Sequence, residues 1–352
     1  MAGGQGHGRI GLRFEDWPVA HQTAWATAVA DGDVLDGRGP AAHWAVVTRK
    51  NVIIQYGRWL GYLGTRGLLS AADLPNDRVR PEIVKDYVRH LRSIVAPCTV
   101  VTLLVTLKVM IKAMAPEQDW RWLADLGNAL SRSSEPTREK RSRILPSADI
   151  YTGALAELDR LLSLSLRGRN WLCRYRHTLM VAFMAARPLR IKNFTALEIG
   201  RQLVRVDSSW LIAIPGDEVK NGQPLEFDLP DSLVPYLEIY LRDVRPKIMG
   251  LDQSSSHLWV AWKKRNISSH EVYNCFMNTT KHLFGVAINP HLFRDCAATS
   301  LSLVSTAAAR AAAPLLGHRY FSTTERHYVR AQQLEASRTL NTVLSSIKSS
   351  TS

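Results

Sequence analysis

The chain has 352 residues, of which 46% are hydrophobic, and it carries 45 Lys plus Arg against 31 Asp plus Glu, a formal charge of +14. The length suggests two domains of about 100–200 residues each, and the apolar content excludes disorder over the whole chain. The positive surplus favours a polyanionic partner, because neutralised phosphates release condensed counterions, although charge alone does not separate nucleic acid from an anionic membrane surface.

Residues 1–40 begin Gly-rich and contain the turn-rich stretch DGDVLDGRGP. They have no apolar core of a secretory signal. A short helix is expected around Pro18–Ala30, within a segment that is otherwise flexible. Over 41–130 the texture changes. Thr48 is the expected N-cap of a helix that carries Val52, Ile53, Tyr56, Trp59, Leu60 and Leu63 and ends at Gly64 and Gly67. A second helix is expected from Pro81 to Leu91, a third from Cys98 to Met114 and a fourth from about Asp119 to Leu130, which together form a compact helical unit. The stretch Cys98–Met114 is the most apolar, but Lys108 and Lys112 interrupt it and it is shorter than the ~20 residues of a spanning helix. The expectation is therefore a soluble cytoplasmic protein with no membrane partner. The basic residues Arg49, Lys50, Arg58, Lys108 and Lys112 of this unit are candidates for DNA contact.

Residues 131–147 read as a basic linker, Ser-rich and broken by Pro136 and Pro146. It is either a solvated connection or a strap along a phosphate backbone, with Arg138, Lys140 and Arg141 as the candidate contacts. From 148 onward, helices are expected at 148–164 and 170–186. An alternating run follows from Leu203 to Pro215, and a second from Leu225 to Leu229. Asn221-Gly222 between them is a hairpin turn signal. Helices return at 231–243, 268–284, 291–304, 306–316 and 332–347. The four cysteines, Cys98, Cys173, Cys275 and Cys296, form no CxxC pair and fit no zinc spacing, so they are expected as buried thiols with no metal site.

The chemistry-bearing pattern lies toward the C-terminus. Arg190 follows a Pro-broken helix in ARPLRIKNF, and Lys220 lies in VKNGQPLEF. His291 and Arg294 form an HxxR, His318 sits in LGH, and Tyr328 follows ten residues later. Each signal is weak by itself; the order Arg190, Lys220, His291, Arg294, His318, Tyr328 is not. In these residues the chain resembles the tyrosine recombinases, the phage integrase family. The resemblance covers about 148–331 by motif, and 41–130 more loosely.

That resemblance implies a mainly α fold with a small antiparallel β-sheet: a helical core-binding (SAM-like) domain over 41–130 and an α+β integrase-type catalytic domain over 148–331. It implies that Tyr328 is the nucleophile, with a 3′-phosphotyrosine intermediate and no cofactor. Two positions depart from the family pattern. Asn193 stands where many members have an acid, and Asp295 where many have His or Lys. A C-terminal helix in 332–352 is expected to dock on a neighbouring protomer, giving a homo-tetramer on DNA from a monomer or dimer in solution. The expected partner is a double-stranded recombination site, closed in a clamp, with accessory recombinases or a directionality factor as further candidates and a nucleoid association when bound.

The residue types fit the reaction. Opening a phosphodiester without metal requires an in-line nucleophile, charge stabilisation on the phosphorane and a proton for the leaving oxygen. Arg190 and Arg294 offer always-charged forks for the non-bridging oxygens, and His318 a further donor. His291 can assist removal of the Tyr328 proton, whose ordinary pKa is about 10. Lys220 can protonate the 5′ oxygen. Two alternatives stay open: a type IB-like topoisomerase with the same chemistry, and a catalytically silent DNA-binding protein of the same fold.

Overall fold

The computed structural model describes residues 11–33, 37–133, 141–251, 253–262 and 266–304. The chain divides into two compact units, Met1–Glu139 and Lys140–Ser352.

The first unit is helical. It contains α1 (Val19–Val29), α2 (Val46–Thr65), α3 (Pro81–Ile94), α4 (Pro97–Met114) and α5 (Arg121–Ser133). α4 packs against α1, α2, α3 and α5. Its Val100, Leu103, Leu104, Leu107, Met110, Ile111 and Ala113 are buried. Among the described residues it is the helix long and apolar enough to cross a membrane, and these buried positions make it the central core helix of the unit. Pro81 and Pro97 open α3 and α4 at a position where the missing N–H has no helical partner to lose. α2 starts earlier than its sequence suggests: its N-cap is Ala45, not Thr48.

The start of the chain also departs from expectation. The helix expected around Pro18–Ala30 forms as α1, but the residues before it are not loose: Trp17, like Trp25 of α1, is buried in the same core as α2 and α4. The backbone at Leu12 lies directly on α2, where Leu12 N–H donates to the Gly57 carbonyl at 2.9 Å. A Cβ at position 57 would fall 2.2 Å from the Leu12 carbonyl oxygen, so only glycine admits this approach. Trp17 meets Tyr56 edge-on at 5.0 Å, and the Tyr56 hydroxyl pairs with His21 Nδ1 at 3.0 Å inside the core.

The second unit opens with α6 (Ser147–Leu162) and α7 (Arg169–Ala186), then α8 (Ile191–Thr195). A three-stranded antiparallel sheet follows: β1 (Leu203–Val206), β2 (Ser209–Ile214) and β3 (Leu225–Asp228), in that order. α9 (Val234–Ile239) runs through a π-helical stretch, Tyr240–Val244, into α10 (Arg245–Met249). α11 (Ser269–Phe284) and α12 (Pro290–Val304) complete the described residues. α7 is the core of this unit, with an unbroken buried run from Thr178 to Ala185. α11 carries a complete capping box between Ser268 and Glu271 and ends at Gly285 in the left-handed region. This is the mainly α architecture with a small antiparallel sheet that the resemblance implies.

The alternation over Leu203–Pro215 is not one strand. It is β1 and β2 joined by Asp207-Ser208, with Val206 opposite Ser209. Asp207 has φ 52°, a conformation that the short Asp side chain tolerates in tight hairpin turns. The apolar period continues across the turn, so it conceals it. The cysteines differ as well: all four are unpaired, but Cys98 is exposed and only Cys296 is fully buried. The helices expected at 306–316 and 332–347 lie outside the described residues.

Candidate active site

α7 ends at Arg187, where Pro188 next in sequence favours an extended backbone. Two residues on, Arg190 is the N-cap of α8, with its carbonyl accepting from Phe194 N–H at 2.9 Å. Phe194 fixes this short helix. It is fully buried, stacks on Trp259 at 5.1 Å and meets Phe183 and Phe276 edge-on. Arg190 therefore projects from a rigid base. It is half-buried, and desolvation pushes its pKa below the ordinary guanidinium value.

The second arginine comes from α12. The Asn289 side chain accepts from Leu292 N–H at 3.0 Å and so caps the helix that Pro290 opens. His291 is thus a first-turn residue, exposed, and not the cap. Arg294 lies one turn further along and is only 5% exposed. Its Nη1 donates to the Pro188 carbonyl at 2.7 Å, which joins α12 to the segment that carries Arg190. Phe293 beside it packs on Phe276 at 5.2 Å. Burial pushes the Arg294 pKa down to about 10; the Arg190 charge adds to this, and Asp295 opposes it. Two guanidiniums that repel one another in a half-buried place are stabilised by a shared anion.

Lys220 is exposed, on the connection from β2 to β3. That connection is not a two-residue hairpin turn. It contains a 3₁₀ turn over Gly216–Glu218 and a turn closed by Gly222 N–H on the Val219 carbonyl at 2.9 Å. Asn193 of α8, buried at 6%, donates Nδ2 to the Glu218 carbonyl at 3.1 Å. The residue that departs from the family's acid thus ties the Lys220 connection to the helix that Arg190 caps. Glu218 and Gln202, which the sequence reading passed over, complete this tie through a 2.8 Å bond from Gln202 Nε2 to Glu218 Oε2. Their nearness comes from the β1–β2 hairpin and has no sequence signature beyond Glu218 standing two places before Lys220.

The structure thus brings Arg190 and Arg294 together, sets His291 on the helix of Arg294, and fastens the Lys220 connection to α8. His318 and Tyr328 lie outside the described residues. Of the candidate DNA contacts, Lys50 and Lys112 are exposed, and Arg58 and Lys108 are half-buried. Arg49 is engaged within its own unit, donating Nε to the Trp44 carbonyl at 3.0 Å and Nη2 to the Ala42 carbonyl. Arg141 lies in a short 3₁₀ turn, Arg141–Arg143. Arg138 and Lys140 lie outside the described residues. Arg143, not singled out beforehand, donates to the Ala287 carbonyl at 2.8 Å and secures the entry to the second unit against the α11–α12 turn.

No protein-family model and no curated protein matches the chain. Solved structures do. The XerH site-specific recombinase bound to a palindromic difH substrate, in a post-cleavage complex, superposes with a TM-score of 0.55 at 12% identity, over 83% of this chain and 78% of that one. The chain has the tyrosine recombinase fold. The Tn1549 transposon integrase in complex with transposon right end DNA gives a TM-score of 0.53 at 12% identity, over 85% of this chain and 96% of its own. XerH bound to difH before cleavage gives 0.53 at 13% identity, over 80% and 75%. At such identities the tyrosine recombinase backbone path is what is shared. The chemistry is a matter of this chain's own residues, and within the fold Arg190 and Arg294 are the basic pair that α8 and α12 bring together.

Proposed function

We propose that this protein is a site-specific DNA recombinase that cuts and rejoins DNA through a 3′-phosphotyrosine on Tyr328, without metal or ATP, in the service of a mobile element. The observation that carries this reading is the Arg190–Arg294 pair, held by the Arg294–Pro188 bond within a tyrosine recombinase fold. The pair grips the non-bridging oxygens of the scissile phosphate and offsets the charge that builds up on the phosphorane. The phenolic oxygen of Tyr328 forms a bond to phosphorus while the bond to the 5′ oxygen breaks. The phenolic proton passes to a base, for which His291 is the candidate, and the Lys220 ammonium gives a proton to the departing oxygen. His318 donates to a non-bridging oxygen. Reversal of the step onto another strand gives exchange, with a homo-tetramer on paired sites as the working assembly.

A covalent-trapping experiment tests the reading. The protein and a Tyr328→Phe variant are incubated with nicked duplexes from the chain's own genetic neighbourhood, without metal, and run on a denaturing gel. A protein–DNA adduct that needs Tyr328 is the expected result. An adduct that survives the Phe substitution removes Tyr328 from its role, and no adduct on any of these duplexes favours a DNA-binding protein without catalysis.

A further inference from the structure

Lys220 is exposed, yet the foot of its connection is held by several hydrogen bonds. Glu218, two residues before it, is bound at three points. Its Oε2 accepts from Gln202 Nε2 at 2.8 Å, its Oε1 from Arg201, and its backbone carbonyl from Asn193 Nδ2 at 3.1 Å. Gln202 is 2% exposed. Its Oε1 accepts from Glu198 N–H at 3.0 Å, so the amide is oriented with Nε2 toward Glu218. Its own carbonyl accepts from Ala213 N–H of β2 at 2.8 Å. Just past Glu218, Val219 is buried at 4% and its N–H bonds the Gly216 carbonyl at 3.0 Å. Beyond it, Lys220 is exposed. Lys220 thus follows directly on a residue that is both buried and hydrogen-bonded.

Burying a polar amide is costly unless its bonds are made, and this one is directed at the carboxylate that Arg201 also holds, two residues before Lys220. We propose that Glu218, oriented by Gln202, is the positioning residue for Lys220, fixing the foot of the connection so that the ammonium reaches the leaving 5′ oxygen. This rests on the reading of Lys220 as general acid. A general acid must come within hydrogen-bond reach of the atom it protonates, and the flexible four-carbon stem of a lysine meets that demand only from a Cα held within its length of the atom.

The test uses the leaving group. With a 5′-bridging oxygen, the P–O bond breaks and the oxygen takes a proton from Lys220. With a 5′-bridging sulfur, the P–S bond breaks and the sulfur leaves as a thiolate, since thiols ionise near pH 8.5 and need no acid. Duplexes carrying one or the other at the position of the trapped adduct are cleaved by wild type, Glu218→Ala, Gln202→Leu, Lys220→Ala and Arg294→Ala. Glu218→Ala and Gln202→Leu are expected to lose about 10- to 100-fold on oxygen, part of what a placed acid supplies, and to recover on sulfur as Lys220→Ala does. Arg294→Ala stays slow on both. Glu218→Gln, which keeps an acceptor for Gln202, is expected to retain most of the oxygen rate. If Lys220→Ala recovers on sulfur and Glu218→Ala does not, or if Glu218→Ala has no defect on oxygen, the positioning role is overturned and the recombinase reading stands. If Lys220→Ala does not recover, Lys220 is not the acid and the role of Glu218 falls with it. If wild type cleaves neither duplex, the recombinase reading itself fails.

Discussion

Arg294 and Pro188 meet through a single 2.7 Å bond, from a guanidinium at the start of α12 to a carbonyl two residues before Arg190. The residues that join are separated by over a hundred positions, and the bond holds the Arg294 guanidinium close enough to Arg190 for the two charges to act on one another. The placement of both arginines then depends on Phe276 of α11, which touches Phe194 below Arg190 and Phe293 beside Arg294.

Phe276 is 1% exposed, so Phe276→Ala opens a cavity under both arginines. A stability loss of about 3–5 kcal/mol is expected, read as a lower midpoint in denaturant at unchanged slope. The conservative Phe276→Leu should retain most of the stability and still cut DNA more slowly, since the two supports shift together. Equal DNA cleavage by Phe276→Leu and wild type would disconnect this packing from the site.

Arg294→Lys keeps the charge but not the fork. An ammonium cannot hold the Pro188 carbonyl and present a planar pair of donors to phosphate at once. Adduct formation with DNA should fall by roughly 10²-fold or more, while DNA affinity is expected to change little, because the substitution keeps the charge. Filter binding and trapping on the same duplex separate the two.

Gly216 lies against the far side of the Lys220 turn. A Cβ at 216 would stand 2.5 Å from the Gly222 carbonyl oxygen and 3.2 Å from its carbon. Both neighbours are backbone, so Gly216→Ala must move the turn. A slower cleavage rate is expected, by about tenfold or more if the acid is displaced, with a modest change in melting temperature. Gly168, whose added Cβ meets nothing within 4 Å, is the control: Gly168→Ala should cut DNA as wild type does.

His177 predicts an acid sensitivity. It lies between Arg176 Nη2 at 2.7 Å and Cys275 Sγ at 3.1 Å. Burial first, and the Arg176 charge second, push its pKa down to about 3 from 6.5. The unfolded chain takes up this proton below about pH 6.5, while the folded chain resists it until about pH 3. Stability is therefore present above pH 6.5 and lost as pH falls through that window, at a rate approaching about 1.4 kcal/mol per pH unit. His177→Gln should flatten the slope between pH 6.5 and 4 in urea melts; identical slopes would place the acid sensitivity elsewhere.

A chain with a charge of +14 that grips DNA by its phosphates should lose affinity steeply with salt. With some 6–10 phosphates neutralised, Kd rises by about 10³–10⁵ between 50 and 200 mM salt. Lys50→Ala and Lys112→Ala should each lower the slope by about one. A flat salt dependence would contradict phosphate-dominated binding.

The sequence determined much of this protein because much of it is local. Helical periodicity marks α2 through α7, and Pro81, Pro97, Pro188 and Pro290 mark where elements begin or break, because a proline acts on its immediate neighbours. The ordered string from Arg190 to Tyr328 is an expectation of the same local kind, since a motif is a pattern in one dimension; of it, the structure describes Arg190, Lys220, His291 and Arg294. Tertiary structure decided what depended on distant residues meeting. Trp17 and Trp25 enter the core because α2 offers Gly57 to the Leu12 backbone, which composition does not reveal. Asp207-Ser208 turns the chain where the apolar alternation runs on, because strand pairing with Leu203–Val206 overrides a period that both strands share. Arg49, one basic residue among many by sequence, is engaged by carbonyls that only the folded turn at 42–44 presents. The contacts among Asn193, Gln202 and Glu218 exist only once β1 has paired with β2 and α8 has docked, and a hydrogen bond of about 3 Å between such residues leaves no trace in their spacing along the chain.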